Sequence, residues 1–89
     1  MLVELSGDVD IAMKDELRTR LEQAAEQSSE VDIDLSQVDY ADSTALGLFI
    51  ALRNALKARG GRVRLLSPTS RVRKLLNYAG LEKAFEIVD

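Results

Sequence analysis

The sequence predicts an α/β fold of two layers: a sheet of sequential, mainly parallel strands with the helices on one face, a β-α superhelix. Three observations lead there. Apolar and polar residues alternate in short runs, at Leu2–Ser6, Val31–Leu35 and Arg62–Leu66, and helical spacing follows each run. Neighbouring strands joined through helices run parallel, with right-handed crossovers. The alternation is one-sided, with charged residues on the second face of the strands, so the helices are expected to cover only the other. Loops leaving the strands of such a fold share one edge, and function is expected there.

The 89 residues are read as one domain, residues 1–89, and a chain of this size buries about 60–65% of its unfolded surface. A composition of 46% hydrophobic and 30% charged residues is that of a globular chain. Two Phe and two Tyr are the only aromatic residues, and the net charge is −3, so neither base stacking nor phosphate binding is favoured and no nucleic-acid partner is expected. With no Cys and no His, the chain lacks a disulfide, a thiol nucleophile and the commonest general base and metal ligand. No apolar run reaches the ~18 residues of a membrane span, so no membrane contact is expected and a cytoplasmic protein is the default.

In chain order, Leu2–Ser6 is the first strand, with Val3 and Leu5 inward, and Gly7 and Asp8 end it. A helix from about Met13 to Gln27 follows, with Met13, Leu17, Leu21 and Ala24 or Ala25 on one stripe and Asp15 and Glu16 suiting its positive end. Val31–Leu35 is the clearest strand, its Asp32 and Asp34 facing water or a cation. The second helix spans about Ser43 to Arg59 and stops at Gly60-Gly61. Arg62–Leu66 is the next strand, placing Arg62 and Arg64 to pair with Asp32 and Asp34. Ser70 is expected to cap a short helix carrying Val72, Leu75, Leu76 and Ala79, and Phe85–Val88 closes as a strand.

Reactive side chains concentrate in Val38–Gly47, where a strand passes into the second helix. Asp42 as N-cap accepts a backbone N–H near Thr44 or Ala45, worth about 1 kcal/mol. Ser43 then stands in the first turn with its hydroxyl outward, and Thr44 is the alternate acceptor of a modification. A phosphate there would bring about −1.5 to −2 charges to the positive end of a helix, which tolerates them. The plainer role of the same residues is to cap the helix. On that helix Ala45, Leu48, Phe49, Leu52, Ala55 and Leu56 make the stripe expected to face the sheet. Leu46 and Ile50 lie off it beside Arg53 and Lys57, a candidate docking surface unless neighbouring helices cover them. Gly47, unfavourable inside a helix by about 1 kcal/mol against Ala, hints at close approach by another group. Asp8, Asp10, Asp39 and Ser67–Ser70 are expected to gather on the same edge around Ser43.

Asp42-Ser43-Thr44-Ala45-Leu46-Gly47, preceded by Val31–Ser36 and Tyr40, resembles the signature of STAS domains, most of all the anti-sigma factor antagonists. The similarity runs on through Leu5-Ser6-Gly7-Asp8-Val9-Asp10, Gly60-Gly61 and Leu75–Leu81, and so covers nearly the whole chain. It implies a sequential β-α sheet and a bacterial stress-response regulator of transcription that works by partner switching. The unmodified domain would bind an anti-sigma factor serine kinase and free the sigma factor. Phosphorylation of Ser43 would reverse that binding, and a phosphatase would restore it. No cofactor is implied, since the ATP belongs to the kinase. Asp8, Asp10, Asp39, Leu46, Gly47 and Ile50 are the candidate partner-binding residues. Family members usually carry another strand before Leu2 and often a last helix after Val88; both are expected to be missing here, and the first strand is then expected to be a sheet edge open to pairing with another chain, as in a homodimer. Ala45 also stands where the family commonly has glycine.

Two other classes compete. A STAS scaffold, or a regulatory domain of a transporter or lipid-transport complex, would keep the fold without phosphorylation. An enzyme is the second: Asp8-Val9-Asp10 has the spacing of the acidic pair in haloacid-dehalogenase-like phosphatases. That chemistry also requires a lysine and a distal acidic pair holding Mg²⁺, and no cap or substrate pocket fits in 89 residues. A serine hydrolase fails for want of a histidine to activate Ser43. The chain is therefore expected not to be an enzyme.

Overall fold

In the computed structural model, which describes residues 1–89, four parallel strands lie in the order β1-β2-β3-β4. They are β1 (Leu2–Val9), β2 (Glu30–Ala41), β3 (Arg62–Leu66) and β4 (Glu86–Val88), alternating with α1 (Lys14–Gln27), α2 (Ser43–Lys57) and α3 (Ser70–Tyr78). The two-layer α/β class read from the sequence is the one observed. The inward faces of β1–β3 contribute Val3, Leu5, Val9, Val31, Ile33, Leu35, Val38, Val63 and Leu65 to a single core. The helices close it with Leu17, Leu21, Phe49, Leu52, Leu56, Val72 and Leu76, and no polar side chain is buried. No helix is long and apolar enough to cross a membrane.

The second face of the sheet meets water, and its charges are arranged by register. Asp32 lies opposite Arg64, and the guanidinium grips both carboxylate oxygens at 2.8 Å. That hydrogen bond holds the Asp32 carboxyl below the usual carboxylate range and raises the Arg64 guanidinium above its ordinary value. The expected partnership of Arg62 with Asp34 is not formed. Arg62 faces its register partner Glu30 at 3.4 Å and reaches diagonally across to Glu86, which lies opposite Arg64 on β4, at 3.6 Å. Asp34 instead accepts the Ser36 N–H at 2.9 Å, which lowers its own pKa.

Two strands outrun their sequence-based bounds. β1 continues through Gly7 to Val9, since Gly7 takes a positive φ (+71°) that few other residues adopt and the chain stays extended beyond it. β2 reaches Ala41 because two bulges absorb the loss of alternation: Glu4 pairs with Asp34 but Ser6 with Gln37, and Gly7 with Val38 but Asp8 with Tyr40. Each bulge adds one residue to β2, so Val38 and Ala41 stay on the buried face. At the other end of the sheet, Gly61 is required by close approach: a Cβ there would overlap the backbone carbonyl of Ser29, which accepts the Arg62 N–H at 2.9 Å.

Candidate functional site

The C-terminal edge of the sheet is built by three loops, each held by a capping side chain. Asp10 accepts the Ala12 N–H at 3.0 Å and starts a short 3₁₀ turn, Ile11–Met13. Asp42 does more. Its Oδ1 accepts the Ala45 N–H at 3.1 Å and caps α2, while its Oδ2 accepts the Ile11 N–H from the neighbouring loop at 3.0 Å. Its own N–H donates to the Val9 carbonyl at 3.3 Å. One carboxylate thus spans two helix entrances, and a charged acceptor suits both. The third cap is Thr69, one residue before the expected Ser70. Its Oγ1 accepts the Val72 N–H at 3.3 Å and donates to the Val38 carbonyl at 3.1 Å, which fastens the start of α3 to β2 beyond the end of β3.

Ser43 occupies the first position of α2, exposed, and enters none of the side-chain hydrogen bonds that fix this edge. The division of labour is chemical. Asp42 accepts the N–H groups of Ala45 and Ile11, and the hydroxyl of the next residue is not used in capping. Thr44 is half-buried and therefore the less accessible of the two hydroxyls. Asp8 and Asp39 are exposed on the strand ends, and Asp10 is half-buried in its capping role. Gly47 is exposed on α2 with nothing in the chain within 4 Å of where a Cβ would stand, so no intramolecular contact demands a glycine.

The expected apolar pair on the flank of α2 is not there. Leu46 is a core residue, 4% exposed, and Ile50 is half-buried and packed against the core. The buried arc of α2 is Ala45, Leu46, Phe49, Leu52 and Leu56, whereas Ala55 is exposed and Leu48 half-buried along a groove facing α1. Leu46 is withdrawn as a docking residue on that ground. Two large side chains not among the candidate partner-binding residues stand exposed at this edge instead: Ile11, 68% exposed beside Asp42, and Tyr40, 46% exposed at the end of β2. The signal for Ile11 was available as an isolated large aliphatic residue in an acidic loop.

Ser43 is thus an exposed serine at the start of a helix that Asp42 caps, on the edge where the loops leaving β1, β2 and β3 gather. Comparison with known proteins gives this fold a family. A family model described as "Mlab, STAS domain" matches residues 1–89. The anti-sigma-B factor antagonist of Bacillus subtilis (strain 168) is 33% identical over 85 residues, covering 96% of this chain and 78% of that protein. An anti-sigma factor antagonist structure from Mycobacterium paratuberculosis superposes with a TM-score of 0.88 at 23% identity, covering 98% of this chain and 74% of the other. The antagonist SpoIIAA in its unphosphorylated form gives 0.78 at 22% identity over 99% of this chain and 77% of the other. At those identities the structural likeness is one of fold. The chain belongs to the STAS-domain family, in its anti-sigma factor antagonist branch.

Proposed function

We propose that this chain is a partner switch governed by Ser43. Unmodified, it binds an anti-sigma factor that is also a serine kinase, and a sigma factor is released. The kinase transfers the γ-phosphoryl group of ATP to the Ser43 Oγ, ADP departs as the leaving group, the hydroxyl proton passes to solvent, and the modified domain lets go. A phosphatase hydrolyses the ester and resets the cycle. The domain itself is no enzyme, and it acts in the cytoplasm. The observation that carries this reading is the exposed Ser43 side chain beside a cap already satisfied by Asp42. A dianion at that position lies at the positive end of α2 and is favoured there by about 0.3–1 kcal/mol, so modification need not disturb the fold. A partner that presents a carboxylate or an apolar patch to the same spot meets a repulsive, hydrated group. Asp8, Asp10, Asp39, Gly47 and Ile50 ring the contact in this reading, with Ile11 and Tyr40 as its apolar elements.

The test is site-mapped mass spectrometry of the protein recovered from its own cells and after incubation with a cognate kinase and ATP. Phosphate on Ser43, its absence in Ser43→Ala, and loss of kinase binding on phosphorylation are expected. Modification confined to another residue, or binding indifferent to it, overturns the reading. The matching family model carries the description Mlab rather than that of an antagonist, and this favours a second reading: a scaffold or regulatory STAS domain that is never phosphorylated. A stable complex whose affinity is identical for Ser43→Ala and Ser43→Asp would select it.

A further inference from the structure

Beyond the end of β3, α3 lies alongside the last residues of β2, and between them runs an open trough of about 420 Å³. Its walls are Tyr40, Ala41, Arg71, Lys74, Leu75 and Tyr78. Three features of this trough are not explained by the fold. Tyr78 is 94% exposed, so a large aromatic side chain has been left in water where nothing in the chain covers it. Arg71 and Lys74 are exposed and take part in no ion pair, while the third cation of the helix, Arg73, is bound to Asp89. The first five residues of α3, Ser70-Arg71-Val72-Arg73-Lys74, also place all three cations toward the positive end of the helix and no acidic residue in its first turn. A helix start prefers the opposite charge, so the local sequence works against helix stability. In a chain of net charge −3, unpaired cations set at an unfavourable place and flanked by two tyrosines are the composition of a binding surface.

We infer that the trough between β2 and α3 docks an acidic, extended protein segment, whose carboxylates meet Arg71 and Lys74 while an apolar side chain lies over Leu75 between the rings of Tyr40 and Tyr78. The chemistry selects this occupant over the others. Two free cations are too few for a polybasic lipid-binding surface, which gathers about four to eight Lys or Arg. A carboxylate-bearing segment needs only one or two bidentate or point contacts and gains the rest from the aromatic walls. The trough adjoins Ala41, next in the chain to Asp42 and Ser43, yet its recognition chemistry requires neither the serine nor its modification.

The experiment is a titration of ¹⁵N-labelled full chain, followed by amide chemical shifts, with the peptide acetyl-Glu-Asp-Leu-Glu-Asp-amide as probe and its Gln/Asn counterpart as control. Shifts are expected at Tyr40, Arg71, Leu75 and Tyr78 with the acidic probe. The control should bind at least about fivefold more weakly, and salt near 0.5 M should suppress the acidic response. In Arg71→Glu/Lys74→Glu the acidic probe should lose its effect and the corresponding lysine peptide should gain one. Acidic residues suit the start of α3, so this variant should melt no lower than the parent; were it to unfold, Arg71→Gln/Lys74→Gln serves the same purpose. Equal response to probe and control, or shifts outside the trough, overturns the inference. So does a surface that answers phosphatidylglycerol vesicles but not the peptide, or a dimer in sedimentation that the double variant dissolves.

Discussion

The water-facing side of the sheet and its C-terminal edge are both rich in carboxylates, and they use them in opposite ways. On the sheet, Asp32 faces Arg64 and Glu30 faces Arg62 across the parallel ladder, so these carboxylates are answered by side chains, while Asp34 beside them turns to the Ser36 N–H. At the edge, Asp10 and Asp42 are answered by backbone N–H groups. The first arrangement closes on itself and leaves nothing over. The second satisfies helix entrances with the residue just before Ser43, and so leaves a hydroxyl unclaimed where a helix is most tolerant of negative charge. The same residue type is ornamental to function in one place and creates the opening for it in the other.

Substitutions can separate these roles. Leu46→Ala removes a core side chain from the helix that carries the serine and should cost about 3 kcal/mol in urea unfolding. A small effect would return Leu46 to the surface. Asp42→Ala deletes acceptors for two N–H groups at once and should cost about 2 kcal/mol, more than a simple cap. A loss no greater than that of an ordinary capping residue would show the bond to Ile11 to be idle.

Gly47→Ala should stabilise α2 by about 0.5–1 kcal/mol, because its new methyl group meets no neighbour in the chain. Unchanged kinase affinity in that variant would show that no partner comes close there. On the sheet face, the Asp32 carboxyl is held below its unfolded value by Arg64, so it adds stability above about pH 4 that is lost as pH falls through its folded pKa. Unfolding curves between neutral pH and pH 2 should steepen in that acid range, and Asp32→Asn should flatten the profile. Ser43→Ala should be the mildest change, within about 0.5 kcal/mol of the parent. A larger drop in melting temperature would mean that the serine supports the helix rather than waiting for a modification.

The architecture was legible because Val31–Leu35 and Arg62–Leu65 alternate strictly, and one-sided alternation determines where helices can lie. What alternation could not convey was the length of β2. Its bulges at Ser36-Gln37 and Asp39-Tyr40 break the period of two, so that the strand reads as a loop. Leu46 was misplaced for a related reason. A helical wheel centres its buried arc on the densest apolar stripe, but in α2 the true arc is rotated by roughly half of the 100° step toward Leu46. Leu48 and Ala55, counted as core in the wheel, line the groove toward α1 instead. Asp42 as a cap was visible in the sequence. Its second bond, to Ile11 across 31 residues of chain, has no local signature and emerges only when two loops meet.

The offset between the first two strands carries a further consequence. From Leu2–Asp32 to Val9–Ala41, one chain advances seven residues while its neighbour advances nine. Natural variation in length at Ser36 to Tyr40 is therefore not free in the way that variation in a surface loop is. Losing one residue there would turn Val38 or Ala41 toward solvent and swing the serine off the exposed rim. Insertions and deletions among descendants of this gene should accordingly avoid that span, even though most of its side chains touch only water.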